Sequence, residues 1–211
     1  NSRYVPECYL LIADDFNNKG DLLLAKRHYT AVLDYPQSPA VTIARYKLAW
    51  CHINEKGFKD AIKLFEQCVL SETTDDLDID TYKRVDIKLE ALIDIAYCYP
   101  ESYKQKAPED AIAYFKNFAW SRSVYTTVLE KLAYRYYLKK HWQHAAVVYR
   151  ELSELQSDAR KLLEYARNTF ECVQNLGSFT DAHKDMAHII KALRIQKFSV
   201  HVADKEKKKN Q

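Results

Sequence analysis

One short pattern recurs five times along the chain and constrains its fold more than any other feature. Each copy has a turn, then an alanine and, in all but the last copy, an aromatic residue four positions later. The alanines are spaced by 36, 50, 34 and 37 residues, at Ala25, Ala61, Ala111, Ala145 and Ala182. The aromatic residues are Tyr29, Phe65, Phe115 and Tyr149. Small residues let two antiparallel helices approach closely, so the pattern predicts stacked helical hairpins.

A second small residue and a shortage of turn formers support the same prediction. Ala13, Ala49 and Ala133 each precede the repeat alanine by 12 positions, whereas Ala96 precedes it by 15 and Phe170 replaces it in the last copy. The chain has only 3 glycines and 5 prolines, which favours long helices with few tight turns. The three glycines of the chain, Gly20, Gly57 and Gly177, all sit in the turn that precedes the repeat alanine. Helices are expected near 6–17, 21–34, 39–54, 58–70, 79–99, 108–118, 122–138, 142–154, 158–175 and 179–196.

The spacing resembles the tetratricopeptide repeat. In the fourth copy the matching residues are Leu132, Ala133, Tyr136, Trp142, Ala145 and Tyr149, all expected in the core of one hairpin. The resemblance implies an all-α solenoid of about five hairpins in a right-handed superhelix. We place the repeats near 6–38, 39–70, 79–120, 122–156 and 157–196, within one domain at 1–197. A basic, disordered tail is predicted at 198–211.

Charge and cysteine content limit the class of partner. The net charge is +3, and the terminal run "DKEKKK" (204–209) supplies +2 of it, so the body has no basic stripe for nucleic acid. No apolar stretch is long enough to span a bilayer. The five cysteines are widely spaced and lack a C-x-x-C motif, which favours buried free thiols over a disulfide framework.

No residue pattern indicates catalysis, a metal or a cofactor. His141 and His144 could share a helix face, but no third ligand stands at a supporting spacing, so both are expected to be solvated near the turn. Cys51 and His52 are adjacent in a helix and point about 100° apart, which does not form a nucleophile and base. We therefore predict a non-enzymatic protein, although an unrecognised active site stays open as an alternative.

Five aromatic residues are the predicted partner-binding site. On the first helix of successive hairpins, which lines the concave side of such a solenoid, we place Tyr46, Trp50, Tyr97, Tyr134 and Tyr137. Tyrosine and tryptophan provide large, stiff contact areas with a polar tip, which suits a protein or peptide partner. The alternative is that Trp50 and Tyr97 simply pack between neighbouring repeats.

Two segments also suggest a cellular setting. The runs "ARYKLAWCHINEKGFKDAIKLFEQCV" (44–69) and "LEKLAYRYYLKKHWQHAAVVYREL" (129–152) resemble repeat proteins of the bacterial cell envelope, including those of gliding motility machinery. That resemblance implies a periplasmic or outer-membrane-associated protein in a multiprotein assembly. The unpaired cysteines favour the reducing cytoplasm instead. A cytoplasmic regulatory or nucleic-acid-associated adaptor is therefore the alternative.

Overall fold

The computed structural model describes residues 4–71 and 86–177, together with Ile190 and Arg194. Within these residues every regular element is an α-helix, which confirms the predicted all-α fold. The helices are α1 (Val5–Asn18), α2 (Leu22–Val32), α3 (Ala40–Asn54), α4 (Phe58–Val69), α5 (Ile87–Ser102), α6 (Pro108–Phe118), α7 (Arg122–Leu138), α8 (Trp142–Leu155) and α9 (Ala159–Leu176). The predicted tenth helix near 179–196 and the tail from 198 lie outside the ranges 4–71 and 86–177.

The chain divides into two compact units, Asn1–Lys104 and Gln105–Gln211. In the first unit, α1 pairs with α2 and α3 pairs with α4, while α5 packs on α4 and also touches α3. In the second unit, α7 pairs with α8, α9 packs on α8, and α6 contacts both α7 and α8. The predicted repeat at 79–120 thus has one helix in each unit, and the five-repeat division stays a prediction.

The alanines of the repeat that lie in the described residues are all buried. Ala25, Ala61, Ala111 and Ala145 are completely buried, and so are Ala13, Ala49, Ala96 and Ala133. The aromatic residues four positions later are buried as well, at Tyr29, Phe65, Phe115 and Tyr149. Phe170, the one departure from the small-residue pattern in the described part, is exposed. The repeat therefore predicted the core correctly, because a larger side chain at these positions would force the paired backbones apart.

Three of the turns between paired helices share one backbone motif. The amide nitrogens of Asp21, Gly57 and His141 each donate to the carbonyl oxygen five residues earlier, on Phe16, His52 and Tyr136, at 2.9, 2.8 and 3.0 Å. This six-to-one bond is the Schellman motif that ends a helix, and it requires the preceding residue to be left-handed. The donating residue also serves as the N-cap of the next helix. Each turn is therefore as short as a helix stop and a helix start allow.

The left-handed position of this motif is not always a glycine. It is Gly20 in the first turn (φ +79°), but Lys56 (φ 63°) and Lys140 (φ 59°) in the other two. Gly57 follows the left-handed residue and has an ordinary φ of −79°. Gly20 and Gly57 thus both lie in the turn between paired helices, but at neighbouring positions of the motif. The motif is set by backbone hydrogen bonds, which place a lysine where glycine would be less strained.

Helix α5 differs from its predicted range. It starts at Ile87, where the Asp86 side chain accepts a hydrogen bond from the Leu89 amide at 3.1 Å, and it runs through Pro100 to Ser102. The sequence predicted an end at 99, because proline usually stops a helix. Here Pro100 is buried, and Tyr103 beyond the helix packs on Tyr99, with ring centroids 4.7 Å apart and 48° between the planes. This packing accompanies the extra turn.

We expect Lys140→Gly to stabilise the protein. Removing the side chain relieves the left-handed strain at this exposed position, by about 1 kcal/mol after the greater freedom of glycine in the unfolded chain is allowed for. The matched control is Lys139→Gly. Lys139 has an ordinary φ of −82°, so this substitution relieves no strain and should destabilise the protein. Urea unfolding followed by circular dichroism measures both. Equal shifts in the same direction would contradict the assigned turn geometry.

Candidate functional site

A buried carboxylate joins two aromatic side chains where α3 meets α5. Oδ2 of Asp94 accepts a hydrogen bond from the Tyr46 hydroxyl at 2.8 Å and from the Trp50 indole nitrogen Nε1 at 3.0 Å. Tyr46 and Trp50 are four residues apart on α3 and so lie on one face of the helix. Glu90, Asp94 and Tyr97 form the corresponding stripe on α5. We call Tyr46, Trp50, Glu90, Asp94 and Tyr97 the aromatic–acidic cluster.

Burial changes the acidity of this cluster. Asp94 is only 9% exposed, and burial raises the pKa of its carboxyl to about 6, while the two hydrogen bonds act in the opposite direction and the charge of Glu90 adds to the rise. Burial likewise raises the pKa of Tyr46, helped by the negative charge of Asp94. The Tyr46 hydroxyl therefore stays protonated and donates its hydrogen bond at neutral pH, where Asp94 is mostly ionised.

The two remaining aromatic residues of the cluster reach the surface. Trp50 and Tyr97 are each 37% exposed, and their ring centroids lie 6.4 Å apart with 33° between the planes. Tyr46 is half-buried, with its ring 5.5 Å from that of Phe65. The cluster thus presents an indole and a phenol ring to solvent. The more buried Asp94 holds the indole by a hydrogen bond and is itself held by Tyr46.

The second unit carries the other two predicted site residues on α7. Tyr134 is 56% exposed, whereas Tyr137 is half-buried and its hydroxyl donates to Glu171 on α9. The Tyr137 ring meets Trp142 edge-on at 5.4 Å. Trp142 was expected in the core but is half-buried at the start of α8, where it covers Tyr137.

The structure therefore brings the five predicted residues together in two groups. Tyr46, Trp50 and Tyr97 share a face of the first unit, and Tyr134 and Tyr137 share a helix of the second. Asp94 was missed, although it is a lone carboxylate inside the apolar run "ALIDIAYCY" (91–99). That signal could have identified it, because a buried charge requires polar partners. Leu10 on α1 and Ile43 and Ile53 on α3 are buried core.

Two further carboxylates bridge first helices in the same way. Asp14 on α1 accepts from the Tyr29 hydroxyl at 2.6 Å and from Nζ of Lys47 on α3 at 2.7 Å. Glu130 on α7 accepts from Nζ of Lys161 on α9 at 2.6 Å and from the Tyr165 hydroxyl. Each bridge combines a tyrosine with a lysine on one carboxylate. Asp94 has a tyrosine and a tryptophan instead.

The paired histidines have a packing role that differs from the expectation. His141 and His144 are half-buried, with ring centroids 6.0 and 5.0 Å from that of Tyr136. Nε2 of His144 also lies 3.0 Å from the carbonyl oxygen of Lys106. The prediction of solvated histidines was therefore wrong, because the short turn folds both rings back over Tyr136. Among the described residues, no group of three histidine, cysteine or acidic side chains converges as a metal site.

The cysteines divide by exposure. Cys51, Cys68, Cys98 and Cys172 are buried free thiols, as the sequence predicted, while Cys8 is exposed. Burial raises the pKa of Cys51 and raises that of Cys68 and Cys172 to about 12, which keeps these thiols protonated and unreactive. Cys51 therefore lacks the lowered pKa that a nucleophilic cysteine requires. No helix within the described ranges is long and apolar enough to cross a membrane.

An open groove lies between α6 and α8 in the second unit, with a volume of about 500 Å³. Its apolar residues include Ile112, Ala113 and Val147. Charged residues of both signs border it, among them Lys116 and Glu109. The mixed charge indicates no class of ligand, so the aromatic–acidic cluster is the stronger candidate site.

Comparison with known proteins supports the fold. No protein-family model matches the chain, and no curated protein matches it either. Among solved structures, the MamA protein is similar over 95% of this chain and 96% of its own, with a TM-score of 0.52 and 17% identity. This likeness, together with the buried repeat alanines, supports a tetratricopeptide-type helical repeat fold.

Two other solved structures cover the chain at lower similarity. A putative kinesin light chain with nearly identical TPR-like repeats from Podosopora anserina covers 95% of this chain and 100% of its own, with a TM-score of 0.48 and 13% identity. BtubC (BKLC) from P. vanneervenii covers 92% of this chain and 80% of its own, with a TM-score of 0.47 and 16% identity.

We expect Asp94→Asn to remove one pH-dependent part of the protein's stability. The native carboxyl, with its pKa raised to about 6, binds a proton more tightly than the unfolded one. The carboxyl therefore contributes fully to the free energy of unfolding at a pH below its unfolded pKa. This contribution is lost as the pH rises through 6, by on the order of 2 kcal/mol. The difference in unfolding free energy between wild type and Asp94→Asn, measured in urea from pH 4 to 7.5, should show this fall. A pH-independent difference would contradict it.

Proposed function

We propose that this protein is a non-enzymatic interaction module that binds a partner peptide or helix through five aromatic residues of its first helices. These are Tyr46, Trp50 and Tyr97 in the first unit, and Tyr134 and Tyr137 in the second. The observation that carries the proposal is the state of Trp50, which is 37% exposed yet fixed by a hydrogen bond to a buried carboxylate. A tryptophan that served packing alone would gain more by complete burial.

Fixing the aromatic side chains lowers the cost of binding. A partner that contacts a mobile tryptophan must first immobilise it, which costs about 0.5–1.5 kcal/mol for a rotamer-rich side chain. Trp50 is already held by Asp94, and Tyr137 is already held by Glu171. Tryptophan and tyrosine carry a large share of binding energy at protein interfaces. Both units thus offer a rigid aromatic contact supported by a carboxylate.

The setting of this module is a separate proposal with two forms. The resemblance of 44–69 and 129–152 to cell-envelope repeat proteins favours a periplasmic or outer-membrane-associated assembly, including motility machinery. The free thiols favour a cytoplasmic regulatory or nucleic-acid-associated adaptor instead. Because four of the cysteines are buried and protected, only Cys8 can report on the compartment.

We expect Tyr97→Ala and Tyr134→Ala to weaken partner capture without unfolding the protein. Each removes an exposed ring, and a contact of this type is worth about 2 kcal/mol, which corresponds to roughly a thirtyfold loss of affinity. A photo-crosslinking residue at position 93, beside the cluster, would identify the partner in source cells, and titration with the purified partner would give the affinities. The matched control is Trp120→Ala, which removes an equally exposed ring outside both groups.

The outcomes separate the two units. Loss with Tyr97→Ala alone would restrict the binding surface to the first unit, and loss with both changes would support a surface that uses both. Unchanged affinity in both folded variants would contradict the proposed function. Loss of the helical circular dichroism signal would assign the substituted ring to the core.

The state of Cys8 in protein taken from source cells tests the setting. An envelope location predicts that Cys8 is oxidised or disulfide-linked, since the periplasm is oxidising. A cytoplasmic location predicts a free thiol. Alkylation in denaturant without prior reduction, followed by peptide mass analysis, distinguishes the two. The buried free thiol of Cys68 is alkylated once the protein is denatured and serves as the reference.

A further inference from the structure

The three carboxylates that join first helices differ in one respect that points to a ligand. Asp14 and Glu130 each bind a tyrosine hydroxyl and a lysine ammonium of this chain. Among the described residues, the donors that reach Asp94 are both neutral, namely the Tyr46 hydroxyl and the Trp50 indole N–H. Within the described part of the chain, lysines therefore neutralise two of the three carboxylates.

Asp94 is also the most deeply buried of these bridges. Its residue is 9% exposed, whereas the side chains of Asp14 and Glu130 are 18% and 31% exposed. A carboxylate with neutral donors alone loses more solvation than the hydrogen bonds return. Glu90, one turn earlier on α5, adds a second negative charge close enough to disfavour ionisation of Asp94. The site thus combines negative charge with a low exposure that strengthens any attraction to a cation.

We propose that the aromatic–acidic cluster binds a basic side chain, arginine or lysine, of the protein partner. This rests on the proposed function, because it specifies the chemistry of the partner at the surface that function assigns to the first unit. The cation lies against the exposed rings of Trp50 and Tyr97 and within reach of the carboxylates of Glu90 and Asp94. It provides at this junction the positive charge that Lys47 and Lys161 provide at the other two.

The geometry of the rings supports a flat cation in particular. Trp50 and Tyr97 are inclined by 33° with centroids 6.4 Å apart, so two partly exposed rings lie next to each other at the surface. A guanidinium group stacks on such a surface and can donate from its edge to a carboxylate at the same time. Lysine can reach the carboxylates but stacks less well. We therefore expect arginine to bind more tightly than lysine.

A pair of short peptides tests the charge requirement. The probe is acetyl-Ala-Ala-Arg-Ala-Ala-amide, and its matched control carries citrulline, which has the shape of arginine without the charge. The readout is the indole amide resonance of Trp50 in nitrogen-15-labelled full-length protein, assigned by its loss in Trp50→Phe. We expect the arginine peptide to shift this resonance saturably and the citrulline peptide to bind at least about tenfold more weakly.

Two substitutions test the carboxylates. Asp94→Asn retains the shape of the side chain and should weaken the arginine peptide by about tenfold. Glu90→Gln keeps the test decisive if Asp94→Asn fails to fold, and should weaken binding in the same direction. Glu130→Gln is the matched control, because its carboxylate already holds Lys161, and it should leave binding unchanged.

Three results would overturn the proposal. They are equal binding of the arginine and citrulline peptides, undiminished binding when the carboxylates are replaced, and no shift of Trp50 at millimolar arginine peptide. None of these contradicts the proposed function. If partner capture depends on Tyr97 while the arginine peptide fails, the surface binds its partner through apolar contact alone.

Discussion

The close approach of paired helices is the constraint on which the rest of this fold depends. Completely buried alanines on both members of a pair, such as Ala49 and Ala61 or Ala133 and Ala145, leave room for one backbone to lie directly against the next. The Schellman turns at Lys56 and Lys140 join these pairs with the fewest possible residues. Small residues and buried rings such as Phe65 and Tyr149 therefore form the core between the paired helices.

Polar bridges join the first helices of successive pairs. At each of these contacts a carboxylate on one helix accepts a donor from the other. Such bonds are directional, so they fix the rotation of one hairpin relative to its neighbour in a way that apolar contact does not. Lys47 on Asp14 and Lys161 on Glu130 both do this at partly exposed positions, where an ion pair alone is worth little. Their value lies in register more than in stability.

The sequence predicted what one hairpin determines and missed what two hairpins determine together. The alanines and the aromatic residues four positions on follow from local periodicity, and eight of the nine described helices begin and end within two residues of their predicted bounds. Asp94 is different, because its partners Tyr46 and Trp50 lie 48 and 44 residues away, across the acidic stretch that breaks the period. The half-burial of His141 and His144 and the left-handed Lys140 depend on backbone bonds of the turn. The apolar run around Asp94 signals a buried charge, but neither the partners of Asp94 nor the geometry of the turn has a signal in residue spacing.

The identity of the residue at position 94 shows how stability and recognition can conflict at one site. An apolar residue of similar size would avoid the desolvation that raises the pKa of this carboxyl to about 6, and replacing buried charges in this way is often neutral or stabilising. It would also leave the Trp50 indole N–H and the Tyr46 hydroxyl without an acceptor, so that Trp50 would no longer be held in one orientation. The carboxylate of Asp94 does two things that an apolar residue cannot, since it fixes the Trp50 ring and supplies negative charge next to it. Burial of this carboxylate is unfavourable in the free protein, and a cation from outside the chain can relieve it. Binding of a charged partner is therefore favoured over binding of a purely apolar one.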